Sequence, residues 1–137
     1  MLLVALLPAL ALAQAPAERY LAAIELHTVA ELSEAMQRAE HLHLEARADG
    51  RELEPIAFIL HGPEVLALLS PAYESNKNMV NLAARLSAFK YIDLKVCLTW
   101  LGGEGIDPTE LPPFIGTVPL GATEIQRLMA DEGYIYF

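Results

Sequence analysis

Ile56-Ala57-Phe58-Ile59-Leu60, opened by Pro55 and closed by His61-Gly62-Pro63, is an unbroken apolar run between two chain-breaking signals. A half-buried strand alternates apolar and polar residues, whereas a run with no polar residue has no wet face and needs helices on both sides. It therefore reads as the central strand of a parallel sheet. Pro63 suits the first position of a helix and Glu64 its first turn, so a short helix over 63–69 is expected straight off the strand, broken by Ser70-Pro71.

Beyond that break, Asn76 or Ser75 caps a second helix whose apolar stripe is Met79, Leu82, Ala83, Leu86 and Phe89. It leads into Tyr91–Trp100, where Ile92, Leu94, Val96 and Leu98 fall on one face and Tyr91, Asp93, Lys95 and Cys97 on the other. The run Gly102-Gly103-Glu104-Gly105 with Pro108, Pro112 and Pro113 then reads as a loop, a short strand follows over Phe114–Val118, and Thr123-Glu124-Ile125-Gln126 opens a helix that Gly133 ends. Tyr134–Phe137 is the last expected strand. Upstream, Tyr20–Leu26 reads as a first strand, and Thr28-Val29-Ala30-Glu31 has the spacing of a capping box opening a long amphipathic helix. That helix ends before Asp49-Gly50, with Gly50 in the left-handed position. The alternation of strands and helices gives an α/β fold, a three-layer α/β/α sandwich around a mainly parallel sheet of about five strands.

With 137 residues, 54% of them hydrophobic, the chain has room for one compact domain. A formal net charge of −9 and only nine Lys and Arg argue against a nucleic-acid partner. Leu2–Leu12 is almost entirely Leu, Ala and Val and is followed by Ala13-Gln14-Ala15, the h-region and small-residue cleavage site of a secretory signal. The run is too short for a bilayer span, which takes roughly 20 residues. The expectation is a signal peptide over 1–15, a single domain over 16–137, a periplasmic or secreted location, and no membrane contact after cleavage. Exported cysteines usually come in pairs, and here there is one.

In parallel sheets ligands gather at the carboxyl ends of the strands, where loops diverge and helix N-termini present free N–H groups. His61-Gly62 and Cys97 both stand at such ends. An imidazole and a helix start near a thiol favour the thiolate, which is the nucleophile. Cys97 and His61 are thus the candidate catalytic pair, with Gly62, Pro63, Asn78, Trp100 and Gly103 as candidate ligand-binding residues. The structural alternatives are a packed, inert Cys97, a backbone-capping His61, and a Trp100 that covers the core. His41 and His43 point apart on a helix, and Gly103-Glu104-Gly105 lacks the third glycine of a dinucleotide fingerprint, so no metal and no cofactor are expected.

Phe58-Ile59-Leu60-His61-Gly62-Pro63, the Asn78–Leu86 helix, Val96-Cys97, Gly105-Ile106 and the closing Gly121…Glu132-Gly133-Tyr134 occur in an order that resembles the DsrE/DsrF-like family, over about Tyr20 to Tyr136. The leader resembles that of its exported branch. The resemblance implies a three-layer α/β/α fold with a five-stranded, mainly parallel sheet, and assembly into homo-oligomers. In the sulfur-relay members a cysteine at the position matching Cys97 accepts sulfane sulfur as a persulfide and passes it on; for His61 the match extends only to the His-Gly turn. Two functions follow. One is a sulfur carrier or sulfurtransferase-like protein loaded on Cys97 and served by a sulfur donor or acceptor protein. The other is a non-catalytic oligomeric module that binds a small ligand or partner, with Cys97 as packing.

Overall fold

The computed structural model describes residues 15–137; the expected leader, but for Ala15, lies outside the described residues. Among the described residues five strands, β1 (Tyr20–Leu21), β2 (Ile56–Leu60), β3 (Ile92–Cys97), β4 (Gly116–Val118) and β5 (Ile135–Tyr136), form one sheet in the order β4-β3-β2-β1-β5. Every pairing is parallel. Among the described residues four helices accompany them: α1 (Val29–Ala48), α2 (Tyr73–Ala88), α3 (Leu98–Gly103) and α4 (Gly121–Asp131), with short 3-10 turns at Pro63–Leu68, Ser70–Ala72 and Pro108–Glu110.

Ile56–Leu60 is buried at every position and lies between β1 and β3, as an all-apolar strand requires. Its side chains alternate between two cores. Ile56, Phe58 and Leu60 join Leu32, Met36, Val80, Leu86, Leu94 and Val96 in the larger core, under α1 and α2. Ala57 and Ile59 join Leu21, Val118 and Leu128 in the smaller one, under α4. Helices therefore cover both faces, giving the three-layer α/β/α sandwich.

The strand order explains which helix goes where. The chain steps from β1 through β2 and β3 to β4 in one direction, then crosses back past β1 to place β5. Right-handed crossovers put connections that advance in opposite directions on opposite faces, so α1 and α2 share a face and α4 takes the other.

Several boundaries differ from the sequence expectation. The first strand has ladder geometry only over Tyr20–Leu21, because beyond it the N–H groups of Glu25, Leu26 and His27 all turn to the Glu31 carboxylate. The strand expected over Tyr91–Trp100 stops at Cys97, and Trp100, Gly102 and Gly103 belong to helix α3 rather than to a strand and a loop. α2 opens with one extra turn from Tyr73, and the non-helical Asn76 (φ −129°, ψ 22°) is the kink between that turn and the helix expected beyond it. α4 starts at Gly121, ahead of the Thr123 box. The strands expected over Phe114–Val118 and Tyr134–Phe137 shrink to β4 and β5. Thr28 does cap α1, accepting from the Glu31 N–H at 3.1 Å, and Gly50 has φ +69°. Among the described residues no helix is long and apolar enough to cross a membrane.

Candidate functional site

β3 and β4 are neighbours whose following segments leave to opposite sides. Trp100 and Leu101 of α3 pack on the larger core, whereas α4 packs on the smaller one. Such a divergence at the carboxyl ends of adjacent parallel strands is where open α/β sheets form ligand crevices. Cys97, the last residue of β3, stands at that point.

The alternation read from Ile92 to Cys97 sends Ile92, Leu94 and Val96 into the larger core and turns the thiol toward α4. Cys97 is also the cap of α3, and its Sγ accepts the Trp100 N–H at 3.4 Å. From the other side it accepts the Gly121 N–H, the first of α4, at 3.3 Å. Thr99 holds these two helix starts together, donating its N–H (3.2 Å) and its hydroxyl (2.7 Å) to the Pro119 carbonyl. Gly121 is buried, and a Cβ there would lie 3.4 Å from the Cβ atoms of both Cys97 and His61. The glycine thus lets α4 approach while Cys97 and His61 flank it. Cys97 as a residue is 3% exposed.

His61, just past β2, is half-buried and points its Nδ1 at the Ile59 carbonyl (3.2 Å). Beside it lies a group that the sequence reading did not single out. The Glu64 side chain is completely buried; its Oε2 is 2.9 Å from His27 Nδ1, and its Oε1 accepts the His61 N–H at 3.2 Å. The rings of His27 and His61 meet edge to face, centroids 4.9 Å apart. His27 has φ +55°, a left-handed conformation that is uncommon outside glycine. Its backbone is held there by Glu31, whose carboxylate accepts the N–H groups of Glu25, Leu26 and His27 at 2.7–2.8 Å. Partial burial opposes ionisation of Glu31, but these three N–H groups outweigh it and hold its carboxyl below the usual range. One signal was available in the sequence: His27, like His61, follows an expected strand. Glu64 looked like an ordinary first-turn acid, and burial is what sets it apart.

The remaining candidates are dispersed. Gly62 belongs to the cluster, since a Cβ there would fall 2.4 Å from His27 Nδ1. Pro63 opens the 3-10 turn that carries Glu64. Trp100 contributes its backbone N–H to Cys97, while its side chain packs on the larger core. Gly103 is exposed at the end of α3. Asn78 is exposed on α2, in a groove with Gln37, Glu40, Asn81, Leu82 and Arg85, and is not among the residues gathered at the strand ends. A larger, open groove of about 700 Å³ lies between α1 and the C-terminal edge, lined by Tyr20, Arg38, Leu42 and Phe137; it is mostly apolar and lacks the thiol and the His27–Glu64 pair.

No family model matches the chain, and no curated protein matches it. Among solved structures it is similar to a protein of unknown function, MTH1491 from Methanobacterium thermoautotrophicum. The identity is 18%, the match covers 88% of this chain and 97% of that one, and the TM-score is 0.69. At that identity the likeness is one of fold: the chain is an α/β/α sandwich around a five-stranded parallel sheet.

Proposed function

We propose that the protein carries sulfane sulfur on Cys97, as an exported, homo-oligomeric member of the DsrE/DsrF-like family. The observation behind this reading is the pair of N–H groups, from Trp100 and Gly121, that converge on Sγ from two helix starts. N–H dipoles aimed at one atom stabilise negative charge there, which is the state in which sulfur attacks. In the loading step a thiolate at Cys97 attacks the outer sulfur of a sulfane donor, the donor's S–S bond breaks, and Cys97 is left as a persulfide. The order of motifs that resembles the family supports the same role, and the apolar leader supports export. Exposed Leu98 and Leu120, at the α3 and α4 starts, are surface that a second subunit would cover.

Intact-mass spectrometry before and after treatment with a small alkyl persulfide tests the proposal. The expected result is a gain of one sulfur atom, abolished in Cys97→Ser. A second reading, a non-catalytic oligomeric binding module, is favoured by one observation, the near-complete burial of Cys97. It predicts no sulfur adduct, slow alkylation of the thiol, and ligand or partner binding that is unaffected by Cys97→Ser.

A further inference from the structure

Glu64 is a fully buried carboxylate in the first turn of the 3-10 segment Pro63–Leu68. Burying a carboxylate is costly unless its oxygens are satisfied, and here both are spent on two histidine residues: the ring of His27 and the backbone N–H of His61. Three further features serve the same arrangement. His27 adopts φ +55°; the Glu31 carboxylate gathers three consecutive N–H groups to keep it there; and position 62 has no side chain, leaving room for the His27 ring. A surface loop with no task does not need a strained residue, a buried acid and a glycine converging on one imidazole.

The hydrogen bonds also orient the ring. With Nδ1 donating to Glu64, His27 keeps Nε2 as its remaining nitrogen, and that atom has no partner among the described residues. The ring retains 26% of its exposure while its carboxylate has none, so the pair is buried at the acid and open at the imidazole. A carboxylate that fixes an imidazole by Nδ1 and leaves Nε2 to the reaction is a recurrent acid–base arrangement. Cys97, Gly121, His61 and His27 follow one another across the strand ends, through the Gly121 contacts with Cys97 and His61 and the edge-to-face contact of the two rings.

The geometry points to His27 as the acid–base group that serves Cys97 across these strand ends, with Glu64 as its positioning residue, acting on the thiol that leaves a sulfane donor. The inference rests on Cys97 as the sulfur acceptor. In the step, the Cys97 thiolate attacks the terminal sulfur of R–S–S–H and forms the new Sγ–S bond. The donor's S–S bond breaks, and its electron pair leaves on the R–S sulfur. His27, as imidazolium, gives that sulfur a proton, releasing R–S–H and a neutral imidazole; Cys97 ends as Sγ–S–H. Charge balances, and no net oxidation occurs. The proton that His27 supplies is replaced by the one the Cys97 thiol gives up on ionising.

Single-turnover loading of the full chain with a small alkyl persulfide, set against alkylation by iodoacetamide, tests this. Iodide leaves without a proton, so only the persulfide reaction needs the acid. His27→Gly relaxes the positive φ and leaves a space for free imidazole, and His27→Asn keeps a donor toward Glu64 in a residue that tolerates that φ. General acids contribute roughly 10²- to 10⁴-fold, so both variants are expected to load at least about tenfold more slowly, with alkylation changed less than about twofold. Added imidazole should restore loading in His27→Gly and not in His27→Asn. Equal loading in wild type and variants overturns the role of His27 while leaving Cys97 as the acceptor. A parallel fall in both reactions, or no rescue by imidazole, also overturns it. A wild-type chain that takes up no sulfur overturns the sulfur-carrier reading, and this inference with it.

Discussion

A methyl group at position 62 has nowhere to go. It would stand 2.4 and 2.5 Å from His27 ring atoms and 2.7 Å from Glu64 Oε2, although Gly62 itself has an extended backbone (φ −151°) that any residue adopts. Gly62→Ala must therefore push the imidazole off its carboxylate and leave Glu64 buried with one donor. The expected loss is roughly 1–3 kcal/mol, read from the urea midpoint, and the His27 ring resonances should move with it. His43 is stacked flat on Tyr91 (4.5 Å, 8°), and its buried Nε2 has no partner among the described residues. Burial holds its pKa below the ordinary 6.5, against the smaller opposing effect of a bond to the Tyr91 backbone. The unfolded chain then binds the proton more readily than the folded one. This contribution to stability is therefore complete above about pH 6.5 and is lost as the pH falls through that value toward the folded pKa. His43→Phe keeps the stack and removes the titration. Between pH 7 and pH 5 its melting temperature should fall less than that of the wild type, and equal slopes would show that His43 does not drive the acid limb.

Among the secondary-structure elements, helix ends carry much of the local information. α1 closes with Gly50 at φ +69°, and the N–H of Arg51 reaches back to the Ala46 carbonyl (2.8 Å); the glycine made that end readable in the sequence. α2 closes with the same bond pattern, Tyr91 N–H to the Leu86 carbonyl (2.9 Å), but the left-handed residue is Lys90 at φ +58°. A lysine there gives no sequence signal and costs conformational energy. Lys90→Gly is expected to raise stability by about 0.5–1 kcal/mol in chemical denaturation, and a loss would show that the lysine side chain offsets the strain. α3 was not legible for a related reason. Gly102 and Gly103 are poor helix formers, yet the Cys97 sulfur caps the first turn, and Leu101 is fully buried; tertiary burial outweighs propensity over six residues.

For the molecule as a unit, stability rests on the central strand that separates the two cores. Phe58 is the largest of the fully buried side chains and lies in the larger core, so Phe58→Ala should cost about 3–5 kcal/mol by urea denaturation. A loss under 1 kcal/mol would mean that the larger core collapses around the gap. The class of fold was legible in the linear chain, because an all-apolar strand flanked by amphipathic helices has few ways to be buried, and so was the position of Cys97 and His61 at strand ends. Periodicity and capping act between near neighbours, so they survive in a linear reading. Long-range contacts set the rest: β4 lies beside β3 and β5 beside β1, Cys97 sits where α3 and α4 part, Asn78 faces another groove, and His27 and Glu64 form a pair. His27 and Glu64 are 37 positions apart, and Cys97 and Gly121 are 24 apart. No local pattern records which distant segments a crossover will bring to one end of a sheet, because that choice is made by the packing of whole helices against the two faces.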